Sequence, residues 1–401
     1  MFRFLTAGES HGPQLTVIIE GLPARMPFDI EGVNEQLRRR QGGYGRGGRM
    51  KIERDHIEVL SGVRFGHTMG GPITLRIENR DWANWTERMS VAPVEAEIEP
   101  ITRVRPGHAD LTGALKYGLD DVREVIERAS SRETAARVAV GAVCAQLLAQ
   151  HGVAIHSHVI AVGGVGYAAD TPPDVTQPGF WERVAASEMY CGDVNLTQRM
   201  IERILEGKRD GDTCGGVFEV IATGVPVGLG SYSQWDRRLS TAIGAALMSI
   251  PSAKGVEIGG GFALAALPGS QVHDVVRYGG DDGAADRREW YHLTNHAGGV
   301  EGGVSNGEPI VARVAVKPIP TLAHPLPSVD ARTGANIEET RYERSDVCVV
   351  PAAGVVGEAM LAIALTGAWM EKFGGDSLDE QRHNVASYLA TLRRAAAEGL
   401  P

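Results

Sequence analysis

The chain has 401 residues, of which 43% are hydrophobic and 22% charged; these are ordinary globular proportions and exclude wholesale disorder or a fibrous repeat. Its formal charge of -10 argues against a general nucleic-acid or membrane-surface binder, whose footprint is basic. Cys144, Cys191, Cys214 and Cys348 are scattered without CxxC or Cys/His ligand spacing, so neither a disulfide framework nor a metal site is expected.

In chain order, the N-terminus is too poor in apolar residues for a signal peptide. Leu15 to Glu20 is a β-branched run closed by Gly21, and Pro72 to Glu78 alternates apolar and polar residues; both predict strands. Between them Asp29 is placed to cap a helix in which Ile30, Val33 and Leu37 share a face. Arg38, Arg39 and Arg40 fill its last turn, where the helix dipole favours cations, and Gly42-Gly43 ends it. The segment Tyr44 to Arg49 has neither period and predicts a loop.

Ser130-Ser-Arg-Glu133 matches a capping box and predicts a helix from Ser130 to Gln150 whose start is a ready anion site. A further helix is predicted from about Asn195 to Glu206, with Met200, Ile201, Ile204 and Leu205 facing inward, then strands at Val217–Ala222 and Val311–Val316. Val355 to Lys372 predicts an amphipathic helix stopped by Gly374-Gly375. The charged, Ala-rich segment of about 377–401 predicts a peripheral helical tail. No uncharged apolar run reaches the roughly 18 to 20 residues of a membrane helix, so the cytoplasm is the expected location. With no linker and no strict βαβ period, a single large α/β domain of the mixed α+β kind, 1–401, is expected to carry a composite site.

Several segments carry chemistry. Arg38 to Arg49 holds five arginines, five glycines and no acid, a composition that repels itself unless an anion or an acidic partner neutralises it. Phosphate suits the forked donors of arginine and the close approach that glycine permits; a solvated basic loop is the plainer alternative. Gly8-Glu-Ser-His-Gly12 puts His11 between glycines before a strand, where it could protonate a leaving group, with Glu9 placed to orient it. Arg105-Pro-Gly-His-Ala-Asp110 repeats the device, with Asp110 placed to steer His108. Arg344-Ser-Asp346 adds a cation and a carboxylate. No GxSxG elbow points to a serine hydrolase. The residues alone lead to an enzyme acting on a phosphorylated metabolite.

Beyond that, the chain resembles the chorismate synthase family almost from end to end. The resemblance rests on Gly8–Gly12, Gly45-Arg-Gly-Gly-Arg-Met50, Leu60-Ser-Gly-Val63, Arg105–Asp110, Arg128-Ala-Ser-Ser-Arg-Glu-Thr-Ala-Ala-Arg137, Asp210-Gly-Asp-Thr213, Lys254-Gly-Val-Glu-Ile-Gly259, Gly298-Gly-Val-Glu-Gly-Gly303, Lys317-Pro-Ile-Pro-Thr321 and Arg344-Ser-Asp346. It implies a β-α-β sandwich fold, a homotetramer, and a carbon-oxygen lyase of the shikimate pathway of aromatic amino-acid biosynthesis. This enzyme converts 5-enolpyruvylshikimate 3-phosphate to chorismate by a 1,4-anti-elimination of phosphate, using reduced FMN without net redox change.

The same resemblance implies that His11 gives a proton to the departing phosphate, that His108 protonates or stabilises the reduced flavin, and that Asp346 assists proton removal through flavin N5. It further implies that Ser10, Arg40, Arg46, Arg49 and Arg132 bind substrate. Flavin contacts would come from Arg128, Ala129, Ser130, Pro251, Ser252, Gly302, Lys317, Pro318, Ile319, Pro320, Thr321 and Arg344. Pro251-Ser252 departs from the Asn-Ala or Gln-Ala pair common in the family, so backbone contacts should survive there and a side-chain amide contact should not. Arg40 and Arg46 also match positions that the family assigns to NADP, although the substrate role is physically better. The reduced flavin is expected from an external reductant, with NADPH a candidate donor, because no separate NAD(P)H domain is evident. Two competing readings make different predictions: an RNA-binding assembly protein would need no flavin and would bind RNA with a steep salt dependence, and an FMN reductase would oxidise NAD(P)H and leave His11 without a task.

Overall fold

Residues that alternate apolar and polar build two antiparallel sheets, and their apolar faces look toward a shared layer of helices. In the computed structural model, which describes residues 1–47, 54–168, 172–279, 290–340 and 346–398, the first sheet contains β1 (Arg3–Ala7), β2 (Gln14–Glu20), β3 (Ile57–Ser61) and β4 (Ile73–Glu78) in the order β1-β2-β4-β3. Leu15, Val17 and Ile19 of β2 and Ile73, Leu75 and Ile77 of β4 are buried, while the residues between them face outward. The second sheet contains β5 (Ala154–Val162), β6 (Val165–Gly166), β7 (Gly216–Thr223), β8 (Ala253–Ile258) and β9 (Ile310–Val316), in the order β8-β9-β7-β5-β6.

Helices α1 (Ile30–Gln41), α2 (Asp110–Tyr117), α3 (Arg123–Ala129), α4 (Thr134–Ala149), α5 (Val194–Arg209), α6 (Leu239–Met248), α7 (Val350–Phe373) and α8 (Leu378–Glu398) follow the chain. Helices α1 and α4 pack on the first sheet, α6 and α7 on the second, and α4 meets α7 in the middle. This is the β-α-β sandwich. A smaller core of Ile101, Val104, Ala114, Val122 and Ile126 joins α2 to α3. The C-terminal α8 docks beside the first sheet, where Ala24 exchanges backbone hydrogen bonds with Asp376 and Leu378.

The central layer explains where periodicity misleads. The segment expected to be amphipathic from Val355 is a longer helix, starting at Val350 with Pro351 in its first turn, and it is buried on nearly every side. By length and composition it could cross a membrane, yet it lies between the sheets, and Glu358 interrupts its apolar run. The predicted helix start at Ser130 is instead a break. Helix α3 ends at Ala129, Ser130 is extended, a 3-10 turn spans Ser131–Glu133, and α4 begins at Thr134. Ser130 does cap, accepting from Arg132 N at 3.2 Å. Glu133, however, turns to Thr6 and Arg137 rather than closing a capping box.

Helix α5 runs from Val194, and Met200 and Ile204 are buried as predicted, but Leu205 is exposed. In α1, Val33 and Leu37 are buried while Ile30 is exposed, and Asp29 makes no side-chain cap. Strands β1 and β5 escape the pattern altogether. β5 is covered on both faces: Ser157 turns to Glu358 of α7, and His158, on the other face, to Glu219. The four cysteines are free and buried, and burial pushes the Cys144 and Cys348 thiols up to about 12.

The contact of α4 with α7 depends on Gly141: a Cβ there would lie 2.3 Å from Ala359 Cα. Alanine would add about 1 kcal/mol of helix propensity, but overpacking costs about 1–3 kcal/mol, and here the obstacle includes backbone. Gly141→Ala is therefore expected to lower the urea midpoint; a raised midpoint would show that the two helices can separate without cost.

Candidate active site

Helix α1 delivers the basic segment, and the structure divides it residue by residue. Arg38 points to solvent and pairs with Glu35. Arg39 grips Glu358 of the central helix through both terminal nitrogens at 2.6 and 2.8 Å, and Glu358 also accepts from Ser157 N and Oγ. Arg40 turns inward, only 4% exposed. Arg46, beyond the helix, meets Asp346 Oδ2 at 2.7 Å, and Asp346 Oδ1 accepts from Gly47 N. Carboxylates of the chain thus answer each described arginine, so self-repulsion in this segment does not by itself call for an external anion. Arg49 and Arg344 lie outside the described residues.

The anion argument rests instead on Asp55. Arg40 Nη1 lies 3.3 Å from Asp55 Oδ2, and Arg132 Nη1 lies 2.5 Å from Asp55 Oδ1. All three side chains are almost fully buried. Arg40 also donates to Thr134 Oγ1 and Ser131 O, and Arg132 to Asn79 Oδ1 and Glu78 O. Among the described residues, the two guanidiniums are gathered on the one Asp55 carboxylate. Arg40 bears the cost of desolvation. Burial, with the Arg132 and Arg46 charges, lowers its pKa to about 10 despite the opposing pull of Asp55 and Asp346.

Asn79 links this pair to the first histidine turn by donating to Glu9 O and Gly12 O. Within the turn, Ser10 Oγ donates to Ser130 Oγ at 3.1 Å, so two sequence-predicted residues meet. His11 Nδ1 lies 2.9 Å from Glu127 Oε1, and its ring stacks on Trp85 with centroids 4.0 Å apart. Glu127 of α3, not Glu9, orients His11. Burial alone would push the Glu127 carboxyl up, but the His11 hydrogen bonds and the Arg123 charge hold it below its ordinary range.

The second histidine turn is built as predicted. His108 Nδ1 lies 2.5 Å from Asp110 Oδ1, and Arg105 grips both oxygens of the same carboxylate. Despite burial, these partners hold Asp110 well below the carboxylate range, so the His108 Nδ1 hydrogen points at Asp110. Arg105 also reaches Thr321 Oγ1, and Lys317 Nζ donates to Gly107 O. The Lys317–Thr321 segment therefore lies against this turn. Lys317 N donates to Ser252 O, and Ser252 holds a left-handed φ of 70° in the turn with Pro251. Thr213 Oγ1 donates to Ile319 O while the adjacent Cys214 N donates to Val347 O, tying this segment to the chain just after Asp346.

The proposed cofactor residues are only partly assembled. Ser252, Lys317, Ile319 and Thr321 converge beside His108, and Ser130 lies beside Ser10. Arg128 and Ala129 end α3 rather than begin a helix; Arg128 is spent on Thr6 and Gly8 backbone oxygens. Gly302 occupies an exposed hairpin turn whose neighbour Gly303 accepts from Leu239 N, at the start of α6. Pro251-Ser252 follows the other end of that 10-residue helix, about 15 Å away at 1.5 Å per residue. The donor set that does converge, a lysine, hydroxyls and backbone N–H groups, has the chemistry that a phosphate-bearing cofactor requires.

Sequence reading missed Asp55, Asn79, Trp85 and Glu127. Each belongs to no motif of charge or glycine spacing, and each is recruited by tertiary contact. The one available signal was Glu127, directly beside the quoted Arg128.

The comparisons decide the family. A family model described as chorismate synthase matches residues 2–370, and the chorismate synthase of Geobacter sulfurreducens is 54% identical over 98% of this chain and all of its own length. The chain belongs to the chorismate synthase family. The chorismate synthases of Moorella thermoacetica and Desulforudis audaxviator are 53% and 52% identical, likewise across essentially their whole lengths. A solved structure, "Crystal Structure of Chorismate Synthase", is similar with a TM-score of 0.78 and 41% identity over 98% of each chain. The α/β sandwich is thus the fold of the chorismate synthase family, and the Asp55 network lies within the matched span.

Removing one partner of a buried charged pair costs about 3–5 kcal/mol. Asp55→Asn, which leaves Arg40 and Arg132 facing each other, should lower unfolding free energy by about that amount, and inorganic phosphate should stabilise the variant more than the parent. Equal stability of variant and parent in denaturant titrations would show that Asp55 does not carry the cluster.

Proposed function

We propose that this chain is a lyase that eliminates phosphate from 5-enolpyruvylshikimate 3-phosphate to give chorismate, with reduced FMN bound and no net redox change. The observation that carries the reading is the buried cluster in which Arg40 and Arg132 meet on Asp55, joined through Asn79 to the His11 turn. Such a cluster suits a small anion that leaves with its charge. Burial of Arg40 favours a small substrate anion over a dinucleotide phosphate.

His11 is the proton donor to the departing phosphate, since an acid placed beside an anion cradle meets charge where it develops. Arg40, Arg46, Arg132 and Ser10 hold the substrate, with Arg49 as a further candidate. Asp346, paired with Arg46, would assist removal of the C6 proton through flavin N5. What reduced FMN supplies, when bound, is transient electron donation that helps expel phosphate and is returned as the C6 proton leaves. Lys317, Ser252, Ser130 and the Ile319–Thr321 backbone are the residues that would hold it, with His108 fixed by Asp110 to keep a proton toward it. Homotetramer assembly, an external reductant and a cytoplasmic location complete the proposal.

Purified protein mixed anaerobically with reduced FMN and 5-enolpyruvylshikimate 3-phosphate should release phosphate and chorismate in equal amounts. Folded, flavin-loaded protein that yields neither would refute the reading. His11→Ala and His108→Ala should each lower turnover about 10²–10⁴-fold, with circular dichroism spectra unchanged.

A further inference from the structure

The carboxylate behind His11 belongs to no family motif used above, yet it holds both the backbone and the ring of that residue. Glu127 is almost fully buried and its oxygens accept from His11 N at 2.7 Å, from Arg123 Nη1 at 3.2 Å, and from His11 Nδ1. Glu127 O also accepts from Ser10 N. On the opposite side, the stacked Trp85 fixes the plane of the imidazole, with 28° between the rings. Trp85 is itself anchored by Nε1 to Asp81 Oδ2 at 3.1 Å, and the Arg123 guanidinium lies 5.0 Å from its ring centre.

We propose that Glu127 is a positioning residue that sets both the tautomer and the proton affinity of His11, while Trp85 sets the direction of its free edge. The inference rests on His11 acting as the acid. An ionised Glu127 can only accept, so it takes the Nδ1 hydrogen and leaves Nε2 as the atom facing the substrate. In the charged imidazolium, Nε2–H donates to the oxygen that bridges C3 and phosphorus. As that proton moves, the N–H pair of electrons stays on Nε2, the O–H bond forms, the C3–O bond breaks with its electron pair left on that oxygen, and the neutral ring keeps its Nδ1 hydrogen on Glu127. The ring returns to the charged state by taking one proton from solvent.

The surrounding charges make Glu127 decisive for this equilibrium. Arg123 of α3 and Arg132, linked through Asn79, oppose an imidazolium; Arg128 sits at Gly8 O, and Arg88 lies behind Trp85. Among the described residues, Glu9 in the turn and Asp81 behind Trp85 are further acids near it, and neither hydrogen-bonds the His11 ring. Glu127 is therefore the anion in contact that favours the charged ring against several cations.

Glu127→Gln keeps the shape and removes the charge. Two readouts test it. In protein without cofactor, carbethoxylation of His11 by diethyl pyrocarbonate, followed against pH by peptide mass spectrometry, should shift its midpoint at least about one pH unit lower in the variant. In the complete assay, kcat should fall about 10²–10⁴-fold with KM little changed, and the alkaline limb of kcat should move to lower pH. A wild-type chain that makes no chorismate would refute the acid role itself, whereas the modification midpoint is read without turnover. A folded variant with midpoint and kcat near those of the parent would overturn the positioning role. Should Glu127→Gln not fold, Glu127→Asp decides: the alkaline limb stays in place with kcat reduced about tenfold or more if position matters, and an unchanged kcat overturns the proposal.

Discussion

Asp55, held between Arg40 and Arg132, is the contact on which the rest of the site depends. Each guanidinium comes from a different part of the chain: Arg40 from the last turn of α1, and Arg132 from the 3-10 turn that precedes α4. One carboxylate fixes both and neutralises one. With none at all, burial of two like charges would oppose folding. Two guanidiniums gathered on one carboxylate, among the described residues, make an interior suited to a further anion.

The sandwich makes that arrangement affordable. Arg39, next to Arg40, is clamped by Glu358 in the middle of α7, and α7 is enclosed by the sheets, so the register of α1 is set from the centre of the molecule. The break at Ser130 has a similar effect. By ending α3 and restarting the chain as α4, it turns Arg132 toward Asp55 and places Glu127, three residues earlier, under the His11 turn. A continuous helix through Ser130 would have directed these two side chains by helical spacing instead.

How much of this was legible in the sequence depends on the range of the interaction. Strands β2, β4 and β9 were readable because one face of each is buried, and β7 was readable as an apolar run because both of its faces are covered. The helix α7 does not read as fully buried because burial on all sides erases periodicity, and β5 does not read as a strand because polar Ser157 and His158 are buried on its two opposite faces. In the site, the pairing of His108 with Asp110 was readable at a separation of two residues. The partner of His11 was assigned to the adjacent Glu9 and proved to be Glu127, on a separate helix. The arginine segment was readable as chemistry but not as geometry: its acids, Asp55, Glu358 and Asp346, lie on other segments, and no spacing rule connects them. The motifs that did converge identified the family, while the residues that orient them became visible only in the fold.

The central claim is that the shared carboxylate leaves a buried site for one anion. It is tested most directly by calorimetric titration of inorganic phosphate into the parent and into Arg132→Met, which removes the second guanidinium and leaves Arg40 and Asp55 as a neutral pair. The account predicts saturable binding by the parent and a loss of about tenfold or more in affinity, at least 1.4 kcal/mol, in a variant that remains folded. Equal phosphate affinity in the two proteins would contradict it.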